Sequence, residues 1–147
     1  MAAVRTATVT WNGDLASGSG SVSAGTTGLF EDLPVSWGSR TEGPDGRTSP
    51  EELLAAAHAS CFAMALSANL ARAGTPPEHL HVEAEVTFDK VGDAWTVTTS
   101  RIIVVGHVDG LSPEEFDAAA ADASQGCPIS RALKGNVEIS VEATLEQ

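Results

Sequence analysis

Residues 48–77, TSPEELLAAAHASCFAMALSANLARAGTPP, decide the fold, because they spell out one long helix with both ends marked. Ser49 is a natural N-cap, Pro50 suits the first helical position, and Glu52 completes an S-x-x-E capping box. Gly74 and the Pro76-Pro77 pair stop the helix after Ala73. Between 53 and 71, fifteen of nineteen positions are apolar, enough for a membrane span by length. The run is alanine-rich, however, and His58, Ser60, Ser67 and Asn69 interrupt it with no Lys/Arg-rich flank. It reads as a core helix. Its apolar residues go nearly all the way round, so it should be buried on most sides. That is more cover than one 147-residue chain readily supplies, and a second subunit is expected to provide the rest.

On the N-terminal side, VRTATVTW (4–11) alternates like a strand. SGSGSVSAGTTG (17–28) reads as a turn plus a thin, Gly-rich edge strand, and LPVSWGSR (33–40) as a third short strand. The turn-dense TEGPDGRTS (41–49) then leads into the helix. On the C-terminal side, HVEAEVTFDK (81–90) and AWTVTTSRIIVVGHV (94–108) form two strands joined by a tight turn. LSPEEFDAAAADAS (111–124) is a helix capped by Ser112, CPISRALK (127–134) a short helix closed by Gly135-Asn136, and VEISVEATL (137–145) a last strand. The order β-β-β-α-β-β-α-α-β predicts an α+β fold in one domain over 1–147, with helices on antiparallel sheet and the long helix buried at the centre.

The formal charge of −12, with only eight Lys and Arg and no basic cluster, argues against nucleic acid or an anionic membrane as partner. MAAVRTATVTWNGD (1–14) lacks the basic-then-apolar order of a signal peptide, so a cytoplasmic location is expected. Thiols stay reduced there, and two cysteines make a permanent structural disulfide unexpected.

Cys61 and Cys127 belong to no C-x-x-C pair, and the plain reading of each is a small buried hydrophobe. Cys127 has a reason to be more: it takes the N-cap place of a helix with Pro128 at the first position, where free N–H groups favour a thiolate. Cys61 sits three turns inside its helix among apolar residues, which raises a thiol's pKa. Ionising such a thiol at neutral pH needs roughly 3–4 kcal/mol. A helix end supplies about 0.3–1 kcal/mol, whereas a guanidinium about 4 Å away supplies ~4 kcal/mol at an effective dielectric near 20. The cysteine with an arginine beside it is therefore the nucleophile. Arg40, Arg47 and Arg131 are candidates; Glu51 and Cys61 are too far apart along the helix to touch, but a long arginine lying between them could contact both. His58-x-x-Cys61 and the imidazoles of HLH (79–81) lack further convergent ligands, so no metal is expected and His58 reads as a satisfied core histidine.

Three stretches together, SRTEGPDG (39–46), TSPEELLAAAHASCFAMALS (48–67) and GCPISRALKGNVEISVEATL (126–145), resemble the OsmC/Ohr family of cysteine-based peroxidases. His58 in AAHASCF and Gly126 in GCPIS are more similar to the OsmC branch. The resemblance implies an intertwined homodimer without metal or other cofactor, reducing organic hydroperoxides and hydrogen peroxide and recycled by a dithiol. By the same resemblance Cys61 corresponds to the peroxidatic cysteine, Cys127 to the resolving one, Arg40 to the arginine that holds the thiolate, and Glu51 to the carboxylate that orients it. Phe62 and Met64 would then form an apolar wall suited to an organic hydroperoxide. The alternative is a redox-sensing or small-molecule-binding module that forms the same disulfide without significant turnover.

Overall fold

The computed structural model describes residues 1–146, in two compact units, Met1–Leu53 and Leu54–Gln147. In the first, β1 (Ala7–Asn12), β2 (Ser19–Ala24) and β3 (Leu33–Val35) form an antiparallel sheet in that order. The Gly-rich β2 is its middle strand, with neighbours on both sides, and not an edge. Glycine is required there: Gly20 lies opposite Trp11, and a Cβ on it would stand 2.7 Å from the indole Cε3. The strand expected over 33–40 ends after three residues, because Trp37–Thr41 is a short helix, α1. A capping box starts it: Ser36 accepts from the Ser39 N–H, and Ser39 Oγ reaches back to the Ser36 backbone. Ser39 Oγ also bonds the Thr48 carbonyl at 2.8 Å, tying α1 to the chain entering the long helix.

That helix, α2 (Pro50–Arg72), starts where expected. Ser49 Oγ accepts from the Glu52 N–H at 3.1 Å, but the Glu52 carboxylate accepts from Thr48 Oγ1 at 2.6 Å and does not close the box on Ser49. Gly74, at φ +90°, adopts the left-handed turn that ends it.

The second unit is built on a sheet ordered β4 (His79–Val91), β5 (Ala94–His107), β6 (Glu138–Leu145). β4 and β5 make an antiparallel hairpin around Gly92. β6 runs parallel to β5, which corrects the all-antiparallel expectation. Alternation in VEISVEATL marks a half-buried strand but is blind to direction. A parallel neighbour needs a long crossover, and α3 (Pro113–Gly126) with α4 (Pro128–Leu133) supplies it.

Phe62, Leu66 and Leu70, four apart on α2, pack with Phe116, Ala120 and Ala123 of α3 and with Ile102 and Val104 of β5 to form this unit's core. The rest of α2 is less covered than expected: Ala57, Ser60, Ala68 and Ala71 are exposed, and Met64 is 72% exposed. Helix α2 is long and apolar enough to cross a membrane by composition, but Phe62, Leu66 and Leu70 are spent on the core.

Candidate active site

Two pairs of side chains stand out, one in each unit. In the first, Arg40 on α1 meets Glu51 in the first turn of α2. Arg40 Nη2 donates to Glu51 Oε1 at 2.6 Å, and Nε donates to both carboxylate oxygens at 3.1 and 3.2 Å. Glu51 is buried, and the guanidinium also lies 5.6 Å from the Trp37 ring centre. A guanidinium gripped along its Nε–Nη2 edge against an aromatic face is held in one orientation. The capping box of α1 is what aims it there.

In the second unit the two sulfurs meet. Cys127 is the N-cap of α4 and fully buried; Cys61, on α2, is half-buried and packs against the same core. Both are free thiols, and each acts on the other's acidity, Cys61 as donor and Cys127 as acceptor. Burial, followed by the Cys127 sulfur, pushes the Cys61 thiol above its ordinary value, opposed by the N–H of Ile129. Burial also acts to raise Cys127, but the Ser130 N–H, the Cys61 thiol, the Ser130 hydroxyl and the Ile129 N–H together pull it down. The pair thus shares its first negative charge on Cys127, with Cys61 donating to it. Within this unit the order of acidity follows the helix end. The start of α4 reaches both sulfurs, an aid to Cys61 that is invisible when each helix is read alone.

His58, one turn before Cys61, is fully buried with both ring nitrogens engaged: Nδ1 lies 2.7 Å from Ser100 Oγ and Nε2 2.7 Å from Ser130 Oγ. It is a satisfied core histidine. Burial holds its pKa below the ordinary 6.5, so the folded state keeps it neutral where the unfolded chain would take up a proton. Protonation therefore favours the unfolded state, and folding stability falls, as pH drops below 6.5. Denaturant midpoints measured between pH 7 and 5 should fall less for His58→Gln than for the parent; an identical fall would remove His58 from the acid sensitivity.

Phe62 is fully buried and offers no surface to a ligand, which removes it from the expected apolar wall. An apolar groove of about 410 Å³ lies instead in the first unit, lined by residues including Val9, Trp11, Leu15, Val35, Trp37 and Arg40. Read one by one, those apolar residues belong to separate short strands and turns, and nothing in their spacing joins them. Glu78, His107 and Asp109 have ligand atoms within 4.8 Å of one another at the surface of the second unit, a grouping that sequence reasoning missed because the sheet assembles it. Ser100, Ser130 and Ile129 were likewise missed. The pattern C-P-I-S signals the last two as first-turn residues, whereas Ser100 gives no sign of itself in an ordinary strand.

Residues 43–142 match the family model described as OsmC-like protein. The chain belongs to the OsmC-like family. Among OsmC-like relatives it is 37% identical to the peroxiredoxin OsmC of Escherichia coli, over 90% of this chain and 91% of that protein. It is 34% identical to organic hydroperoxide resistance protein-like 1 of Staphylococcus saprophyticus, over 67% of this chain and 70% of that one. A solved OsmC-like structure from Legionella pneumophila, titled an organic hydroperoxide resistance protein, superposes with a TM-score of 0.69 at 26% identity, covering 97% of this chain and 99% of that one. The mixed α+β fold with two small sheets is the OsmC-like fold.

Proposed function

We propose that this OsmC-like chain is a soluble, cytoplasmic thiol-dependent peroxidase for organic hydroperoxides and hydrogen peroxide, acting as a homodimer. The observation that carries the reading is the contact between the Cys61 and Cys127 thiols at the start of α4. The names of the E. coli and Staphylococcus relatives support the peroxide chemistry. The uncovered face of α2 and the wholly exposed β1 support a second copy as the missing cover.

The Cys61 thiolate attacks one peroxide oxygen; the S–O bond forms, the O–O bond breaks, and alkoxide leaves and is protonated to alcohol. The Cys127 thiolate then attacks the Cys61 sulfenic sulfur; the S–S bond forms and hydroxide departs as water. An external dithiol returns two electrons and two protons. Burial works against Cys61 as the attacker, so the reading requires a cation, and Arg40 oriented by Glu51 is the group assigned to supply it. It would also stabilise the developing negative charge on the leaving oxygen. The apolar groove lined by Trp11, Trp37 and Arg40 suits the organic part of a hydroperoxide.

Intact mass decides between turnover and simple sensing. One equivalent of cumene hydroperoxide should remove two hydrogens from the reduced parent, and Cys127→Ser should instead gain one oxygen, trapped on Cys61. Multiple turnover with a dithiol, abolished in Cys61→Ser, is the expected result. A single slow oxidation without turnover would sink the peroxidase reading.

A further inference from the structure

His58 has no part in the chemistry above, yet it links three elements through fully engaged nitrogens. Ser100 comes from β5, His58 from α2 and Ser130 from α4, all buried, with both hydrogen bonds at 2.7 Å. Ser130 stands three residues after Cys127, the N-cap that makes no capping hydrogen bond through its own side chain, and the Ser130 hydroxyl and N–H favour the charged form of that sulfur. A continuous chain of polar groups therefore runs Ser100–His58–Ser130–Cys127 and ends on the sulfur that meets Cys61.

Proton counting gives this chain two arrangements. A serine hydroxyl has one proton to donate, and a neutral imidazole has one N–H. If Ser130 donates to Nε2 of His58, it has nothing left for Cys127 and can only accept from the S–H. If Nε2 carries the ring proton and donates to Ser130 Oγ, the Ser130 proton is free for a Cys127 thiolate. Nδ1 then accepts from the Ser100 hydroxyl. Since burial keeps the ring neutral, the tautomer of His58 and the ionisation of Cys127 are linked.

We propose that His58 is a positioning residue for the Cys127 thiolate: its Nε2–H turns the Ser130 hydroxyl onto the sulfur, and Ser100 holds the ring in that tautomer. The groups that bear on Cys127 are the Cys61 thiol from α2 and, from α4, the hydroxyl and N–H of Ser130 and the N–H of Ile129; those bonded to His58 are the two serines, neither charged. The relay serves the resolving step and gives no help to the attack on peroxide. It rests on the peroxidase reading only for the rate it affects.

Two variants of His58 separate its two nitrogens. A Gln amide reaches about the Nε2 place and keeps the Ser130 contact; an Asn amide reaches about the Nδ1 place and keeps only Ser100. Ser130→Ala removes the last link by deleting one oxygen, and it carries the test if His58→Asn does not fold. Reduced protein is mixed with cumene hydroperoxide, quenched over time, and the dimedone-trapped Cys61 sulfenic acid and the disulfide are followed by mass. Formation of the sulfenic acid should not slow in Ser130→Ala and His58→Asn, because a charge made less welcome on Cys127 can only move toward Cys61. Disulfide formation at pH 7 should slow about tenfold, the effect of a one-unit rise in the Cys127 pKa. The difference should vanish above about pH 9.5, where Cys127 ionises unaided, and His58→Gln should stay near the parent. Unchanged resolution in both disruptive variants, or an equal slowing at every pH, overturns the proposal. If the parent forms no sulfenic acid, the peroxidase reading fails instead, and thiolate absorbance at 240 nm in a Cys61→Ser background decides the relay. There the same two variants must raise the Cys127 midpoint by about one unit, and an unmoved midpoint overturns it.

Discussion

Arg40→Ala should slow the reaction of Cys61 with an alkyl hydroperoxide by about a hundred- to a thousandfold at pH 7. The size follows from what the cation must offset. Burial and the neighbouring sulfur push Cys61 up, and the helix end favours Cys127. A guanidinium about 4 Å from a sulfur is worth ~4 kcal/mol at an effective dielectric near 20, close to three decades in thiolate population. Partial solvent access to Arg40 trims that toward two decades. Stopped-flow peroxide consumption measures the rate, and iodoacetamide alkylation of Cys61 at pH 6 reports the thiolate directly. Glu51→Ala should cost about tenfold, since it removes the group that aims the guanidinium and leaves the charge. Arg47→Ala and Arg131→Ala are the controls. Should either of them stop alkylation while Arg40→Ala does not, the cation has been misassigned.

The second large effect is on stability. Phe116, fully buried on α3, rests its ring edge on Gly106 of β5. A Cβ on that glycine would stand 2.6 Å from Phe116 Cζ, 2.8 Å from Cε1 and 3.0 Å from Leu80 Cδ2. The ring is thus seated directly on backbone. Phe116→Ala should lower unfolding free energy by about 3–5 kcal/mol, a large share of the roughly 5–15 kcal/mol that domains possess. Gly106→Ala should cost about 1–3 kcal/mol through overpacking. Much of that cost should disappear in a Phe116→Leu background, because the shorter side chain vacates the space the methyl needs. Urea unfolding of the four proteins closes the cycle. Strictly additive costs would mean that Gly106 is required for some other reason.

Local signals in the chain carried most of the fold. Ser49-Pro50 and Ser112-Pro113 mark the starts of α2 and α3, and Gly74 marks the end of α2. What failed needed information from across the chain or from a weaker motif. In VSWGSR the alternating pattern suggested a strand, while the Ser36–Ser39 box, with serine standing where glutamate is usual, wins as a helix start. The direction of β6 depends on the crossover and not on its own residues. The acidity of the two sulfurs followed the helix end, visible from Cys127-Pro128, but its reach to Cys61 depended on tertiary contact. Arg40 and Glu51 were legible as candidates from their places before and at the start of the long helix, and the resemblance supplied their roles; their bidentate contact needed α1 to be a helix. His58 was legible as a core residue because a lone imidazole on an apolar helix must find partners, though nothing in the chain names Ser100 and Ser130 as those partners.

The unequal burial of the two sulfurs would give the proposed recycling step a direction. Cys127 is sealed in the core and Cys61 is half-buried, so a reductant would meet the proposed bridge at Cys61. A mixed disulfide would then form on Cys61, expelling Cys127, the sulfur whose surroundings already welcome a negative charge and hence the better leaving group.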